Sequence, residues 1–287
     1  MLLLIKLIAL LPLRVVHLLG AAGGWLTYLL SATYRRRVRE NLALAGLDDA
    51  ATRRGAIAET GRQALEAAWF WLRSPAEVAA RVRDARPGEL DALLADPQPL
   101  LLLTPHFGGF EAYAQYYLTR PAARTRPMTV LYRMPRKQAL REVIEARGRS
   151  GLLLAPADLS GVRMLARALK RGHTAGILPD QVPSQGDGVW APFFGRPAYT
   201  MTLPARLAHS ARARVVLVFC ERLRGGRYIV HYAPLKPPLT GVPAQDAAAI
   251  NRALEQLIRR RPTQYLWGYA RYKAPRGAAP ADAEPTA

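Results

Sequence analysis

The 287-residue chain contains one cysteine, Cys220, so no disulfide can form within it and the small disulfide-stapled scaffolds are excluded. Histidine is scarce too: there are five, and none stands at metal-ligand spacing from another histidine or from the cysteine. No G-x-S-x-G turn presents a serine nucleophile, and neither G-x-x-x-x-G-K-[ST] nor G-x-G-x-x-G occurs. Acidic residues number 21 against 41 basic ones, a formal charge of +20. Lysine supplies only 5 of the basic residues and arginine 36, so the net excess is more informative than the type. Half the residues are hydrophobic and 22% are charged, which excludes disorder, and the length suffices for a self-supporting core. The excess charge calls for a polyanionic partner: nucleic acid, an anionic membrane surface or a phosphorylated substrate.

Charge is absent in another sense at the N-terminus. Val15 to Tyr34 carries no formal charge with His17 neutral, and the cluster Arg35-Arg36-Arg37-Val38-Arg39 follows at once. About 20 apolar residues suffice to cross a bilayer, and flanking arginines mark its cytoplasmic side. A cleaved signal peptide would carry its basic block on the other side. At a helical period, Lys6, Arg14, His17, Gly20, Gly24, Thr27 and Ser31 share one face, the pattern of a helix lying in one leaflet. Spanning and lying flat are both compatible with the composition. Residues 1–34 are thus expected to form a membrane helix, 35–273 the main domain and 274–287 a disordered Pro/Ala-rich tail.

After a helical stretch from Arg35 to Leu72, broken at Gly46, strands and helices alternate. Strands are expected at Leu100–Thr104, Met128–Tyr132, Leu152–Leu154, Thr174–Leu178, Val215–Cys220 and Tyr228–Tyr232. Helices are expected at Gly108–Leu118, Lys137–Arg147, Leu159–Arg171, Thr202–Ala211 and Gln245–Arg260. The fold class is therefore α/β, a mostly parallel sheet flanked by helices, with an antiparallel hairpin at its edge. Sites in such sheets gather beyond the carboxyl ends of the strands.

The polar residues of LLLLTPHFGGFEAY fall at such an end. His106 lies in the turn, Gly108-Gly109 open a helix and Glu111 sits on its first turns. An imidazole takes a proton near neutral pH, and a carboxylate five positions on can turn back to hold one tautomer, making a general base toward a hydroxyl. The paired glycines offer backbone N–H groups at a helix N-terminus to a phosphate or an oxyanion. Cys220, in the strand VVLVFCER, reads as core. With no serine or cysteine nucleophile in place, the donor must already be activated, as a thioester is. Asp180 follows the strand TAGILP and so sits at a carboxyl end as well, able to orient an arginine or an acceptor or to cap a turn.

Taken in order, HFGGFE, LYRMP, EARGRSG, GILPDQ with VWAPFFGRPAYT, and YLWGYARYK resemble the bacterial lipid A late acyltransferases, from the N-terminal helix to about Lys273. That resemblance implies a glycerolipid acyltransferase-like fold. It also implies transfer of a fatty acyl chain from acyl carrier protein to a hydroxyl of a lipid A precursor, at the cytoplasmic face of the inner membrane. His106 would be the base and Glu111 its orienting partner. Arg147, with Arg133 and Arg149 beside it, would grip phosphates of the glycolipid or of the donor's phosphopantetheine, or the thioester oxygen. No cofactor or metal is implied beyond the acyl-carrier thioester as co-substrate. The partners expected are acyl carrier protein, anionic membrane lipid and a phosphorylated glycolipid, and no nucleic acid. A basic nucleic-acid-binding protein is the alternative from another class, which the charge supports and the apolar N-terminus and want of any binding motif oppose. Gln181-Val182-Pro183 and Tyr269-Ala270 depart from the family's pattern and leave room for another glycolipid or a lysophospholipid as acceptor.

Overall fold

The computed structural model describes residues 2–132 and 152–279. The expected helix Lys137–Arg147 lies outside them. Four helices open the chain: α1 (Leu2–Leu10), α2 (Leu13–Leu30), α3 (Ala32–Leu44) and α4 (Ala50–Leu72). Pro12 separates the first two, and Asp49 caps α4 by accepting from the N–H groups of Ala51 and Thr52. There follow α5 (Pro75–Ala79), β1 (Val82–Asp84), α6 (Glu89–Ala95), β2 (Leu100–Leu103), α7 (Phe110–Leu118), β3 (Met128–Tyr132) and β4 (Leu152–Pro156). The rest comprises α8 (Leu159–Lys170), β5 (Thr174–Ile177), β6 (Gly188–Phe193), β7 (Arg196–Met201), α9 (Leu203–Ala211), β8 (Arg214–Leu223), β9 (Arg227–Pro234) and α10 (Pro243–Arg260).

Seven strands form one sheet in the order β1-β9-β8-β2-β5-β3-β4, in which only β8 and β9 pair antiparallel. The hairpin is therefore not at the edge as expected: the three-residue β1 closes the sheet beyond it, parallel to β9. The central strand β2 is buried along its length and alternates between two cores. Leu101 and Leu103 join Ile177, Phe219, Leu165 and Leu254 under α8 and α10, while Leu100 and Leu102 join Val218, Tyr117, Phe70 and Leu90 under α4, α6 and α7. A strand covered on both faces reads as an unbroken apolar run, which is why LLLL was legible. A separate hairpin, β6–β7, turns at Phe194-Gly195, both at positive φ as a two-residue turn requires.

The N-terminal helices are built into this body. Leu13 and Val16 belong to the same core as Phe70 and Tyr228. α2 and α4 approach at three glycines: a Cβ on Gly61 would stand 2.0 Å from Gly20 O, and one on Gly24 would stand 2.3 Å from Ile57 O. Beside that crossing His17 Nε2 meets Glu66 Oε2 at 2.8 Å. Arg35 and Arg39 serve the end of α2, Arg35 donating to the carbonyls of Tyr28 and Leu29 and Arg39 to the Tyr28 hydroxyl. The other face of α2 carries Leu18, Leu19, Leu26, Leu29 and Leu30, all at least half exposed. Residues 274–279 lie along the β6–β7 hairpin, where Ala279 O accepts from Trp190 Nε1 and Gly277 O from Gln185. Phe193 and Phe194 are core residues, and Cys220 is fully buried, its thiol pushed far up by burial.

Candidate active site

Strands β2 and β5 are neighbours in parallel register, Leu103 opposite Ile177. Each ends the same way, with one residue, a proline and then a polar side chain: Thr104-Pro105-His106 and Leu178-Pro179-Asp180. Proline has no N–H for the ladder, so pairing stops, and the third residue beyond each paired position leaves the sheet at the same level. Asp180 Oδ2 accepts the backbone N–H of His106 (2.9 Å) and Oδ1 lies 2.8 Å from His106 Nδ1. One buried carboxylate thus fixes both the position and the orientation of the histidine. Burial opposes charge on Asp180, but the adjacent imidazole and its hydrogen bonds outweigh it and hold the carboxyl below the ordinary range.

An ionised Asp180 draws the ring proton to Nδ1 and leaves Nε2 as the lone-pair nitrogen. The Gln181 amide nitrogen stands 3.1 Å from Nε2 and donates to it. Phe110 meets the ring edge-on at 5.4 Å between centroids, and the histidine side chain retains 21% of its exposure. Behind the carboxylate lies Tyr265, whose phenol is raised by burial and then by the charge of Asp180. The Val182 N–H donates to Tyr269 Oη (2.9 Å) and fixes the chain just past Gln181.

The expected partner, Glu111, does not meet His106. α7 begins at Phe110, and on its first turn Glu111 points toward α4, where Oε2 accepts from Trp71 Nε1 at 3.0 Å. Asp180 has the orienting position that H-x4-E spacing assigned to Glu111. The glycines also need correcting. The Gly108 N–H donates to Gln264 O (3.0 Å) and the Gly109 N–H to Cys220 O (2.8 Å), so neither is open to an anion. Their lack of side chains serves close approach: a Cβ on Gly108 would stand 2.3 Å from Cys220 O, and one on Gly109 would stand 2.5 Å from the Tyr228 ring. Arg133, Arg147 and Arg149 lie outside the described residues.

The turn is fastened from below by a buried ion cluster. Arg222 on β8 donates through Nε to Glu66 Oε2 (2.8 Å), through Nη1 to Glu59 and through Nη2 to both Glu66 and Gly108 O (3.0 Å). Tyr228 Oη donates to Glu66 Oε2 (2.7 Å), and Gln63 adds a second donor to Gly108 O (3.1 Å). Among the described residues no group of three or more metal-ligating side chains occurs. Sequence reasoning missed Gln181 as a partner of the ring and left the role of Asp180 open. The signal was present in the repeated strand-x-Pro-polar ending.

Comparison with known proteins gives a consistent set. A family model described as "Bacterial lipid A biosynthesis acyltransferase" matches residues 1–274. The chain is 28% identical over 225 residues to the lipid A biosynthesis palmitoleoyltransferase of Escherichia coli K12, covering 76% of this chain and 68% of that protein. It is 26% identical over 212 residues to the lipid A biosynthesis lauroyltransferase of the same organism, covering 72% and 66%. A solved structure, the 1-acyl-sn-glycerophosphate acyltransferase of Thermotoga maritima, overlaps 85% of this chain and 95% of its own at 12% identity and a TM-score of 0.35. That likeness is too slight to carry an argument.

Proposed function

Since the chain belongs to the bacterial lipid A biosynthesis acyltransferases and is thus an acyl-transfer enzyme, we propose that it moves a fatty acyl group from an acyl carrier protein thioester to a hydroxyl of a lipid A precursor. His106 Nε2 removes the hydroxyl proton, the alkoxide oxygen bonds to the thioester carbonyl carbon, and the C–S bond breaks. The departing thiolate takes the proton back from His106. Asp180 holds the ring and offsets the imidazolium charge that forms in between. With the glycine N–H groups committed, the oxyanion and the acceptor's phosphates fall to Arg133, Arg147 and Arg149. The observation that carries this reading is the His106–Asp180 pair at the ends of two adjacent parallel strands, with Nδ1 held by the carboxylate and the side chain still partly exposed. The +20 charge suits acidic acyl carrier protein and anionic lipid. Purified enzyme given acyl carrier protein thioester and a lipid A precursor is expected to add one acyl chain to the precursor by mass spectrometry. Acylation of a different glycolipid or a lysophospholipid instead would reassign the acceptor, and no acylation at all would refute the reading.

The same proposal places the enzyme on the inner membrane, seated through α1 and α2. By length and composition α2 could cross a bilayer. Its packed face, however, is joined at Gly20, Gly24 and His17 to α4, which bears Glu59, Arg62 and Glu66 at that level. To cross, α2 would have to draw these charges into hydrocarbon or abandon the contact. It therefore lies in the interface with its leucines in one leaflet, and each leucine fully withdrawn from water contributes about 1.5–3 kcal/mol. Cysteines placed at Arg14 and Ser31, at opposite ends of α2, should both react with an impermeant maleimide from the cytoplasmic side. Buried Cys220 leaves a silent background. Labelling of the two from opposite sides would mean that α2 crosses.

A further inference from the structure

The His106 nitrogen that the mechanism uses as base is already occupied in this structure. Gln181 donates its amide N–H to Nε2, and among the described residues this is the side chain's single hydrogen bond. The chain on either side is fixed, by the Asp180 contacts with His106 before it and by the Val182–Tyr269 hydrogen bond after it. Gln181 is only half-buried, so its side chain can swing away while its backbone stays in place.

We propose that Gln181 is a positioning residue that caps the base nitrogen of His106 until the acceptor lipid arrives, so that the acyl group goes to the lipid hydroxyl rather than to water. The inference rests on His106 being the base. A partly exposed imidazole of this kind can activate water as readily as an alcohol. Nε2 would take a water proton, the oxygen would bond to the thioester carbon, the C–S bond would break, and the thiolate would leave with the proton from His106. The products would be free fatty acid and the carrier thiol. A water molecule must hydrogen-bond to Nε2 at about the place where the Gln181 amide nitrogen stands. A membrane-bound acceptor, held by its phosphates and acyl chains, has binding energy with which to displace a single hydrogen bond; water does not.

Two variants separate the cap from packing: Gln181→Ala, which removes the side chain, and Gln181→Met, which keeps its length without the donor. Donor hydrolysis is followed as free fatty acid without acceptor, and its ratio to acylated lipid is followed with acceptor. Loss of one neutral hydrogen bond of ordinary net worth, about 1 kcal/mol, corresponds to a rise of about fivefold in hydrolysis in both variants. In His106→Ala with Gln181→Ala that rise should disappear. A structural role alone would lower hydrolysis and transfer together and leave their ratio unchanged, and that result would overturn the cap. Undiminished transfer in His106→Ala would instead refute the base assignment, so failure of the two readings can be told apart.

Discussion

Replacing His106 with alanine is expected to remove acyl transfer, and replacing Asp180 with asparagine to lower kcat by about 10²–10⁴, the range assigned to a positioned general base. Both proteins should remain folded, since the histidine lies at a strand end and asparagine is isosteric with aspartate. The asparagine effect has a specific cause. Asp180 accepts twice, from the backbone N–H of His106 and at Nδ1. The asparagine side chain would bring one oxygen and one amide nitrogen to these two places. With the oxygen kept on the backbone N–H, its amide donates to Nδ1, which forces the proton onto Nε2 and leaves no lone pair to receive one from the acceptor. Glu111→Gln leaves the contacts of His106 in place and is expected to cost far less. Initial rates with acyl carrier protein thioester, compared with circular dichroism of each variant, check the ranking. If Glu111→Gln proves the severe change and Asp180→Asn the mild one, the imidazole is oriented as the sequence spacing alone suggested.

That contrast marks where sequence reading succeeded. The position of His106 at the end of a buried strand was legible because both signals are local: four leucines followed by a proline and a polar turn. Its partner was not, because Asp180 lies 74 positions away and reaches it only through the pairing of β2 with β5. A glutamate five positions along looked nearer, yet the start of α7 at Phe110 turns it toward Trp71. The glycine N–H groups were misread for a similar reason, since Cys220 and Gln264 come from distant parts of the chain. β1 escaped notice because three residues make a strand only against β9. The β6–β7 hairpin was hidden by Pro192 and Pro197, residues that argue against a strand in a larger sheet. They are tolerated here, facing each other, because a two-stranded sheet has only edge strands. The packed face of α2 was foreshadowed by the stripe of His17, Gly20 and Gly24, although composition did not reveal that it meets α4.

Glu66→Gln is expected to lower stability at neutral pH by about 3–5 kcal/mol, the cost of breaking a buried ion pair from one side. In a chain of this size that is a fall in melting temperature on the order of 10 °C. Glu66 and Arg222 side chains are 2% and 3% exposed, so the cation, left with Glu59 as its one carboxylate, cannot turn to solvent. Burial raises the Glu66 carboxyl, but the charge and hydrogen bonds of Arg222, with His17 adding to them, outweigh it and hold the group below the ordinary carboxylate range. A depressed native value fixes the sign of the pH dependence. The contribution is complete above the unfolded value, about 4.3, and is lost as pH falls through the lower native one. The gap between wild type and Glu66→Gln should therefore be constant through neutral pH and narrow only in acid, as urea midpoints at several pH values would show; a gap that narrowed toward alkaline pH would contradict it. Arg222→Met leaves the buried Glu66 without its guanidinium, while Glu59 keeps Arg62, and Glu66→Leu with Arg222→Met should be more stable than either single change. Arg222 also donates to Gly108 O beneath the turn that carries His106, so on the proposed mechanism the double variant should recover stability without recovering full activity. Full recovery of both would mean that the turn is held by Gln63 and the Gly108 and Gly109 hydrogen bonds alone.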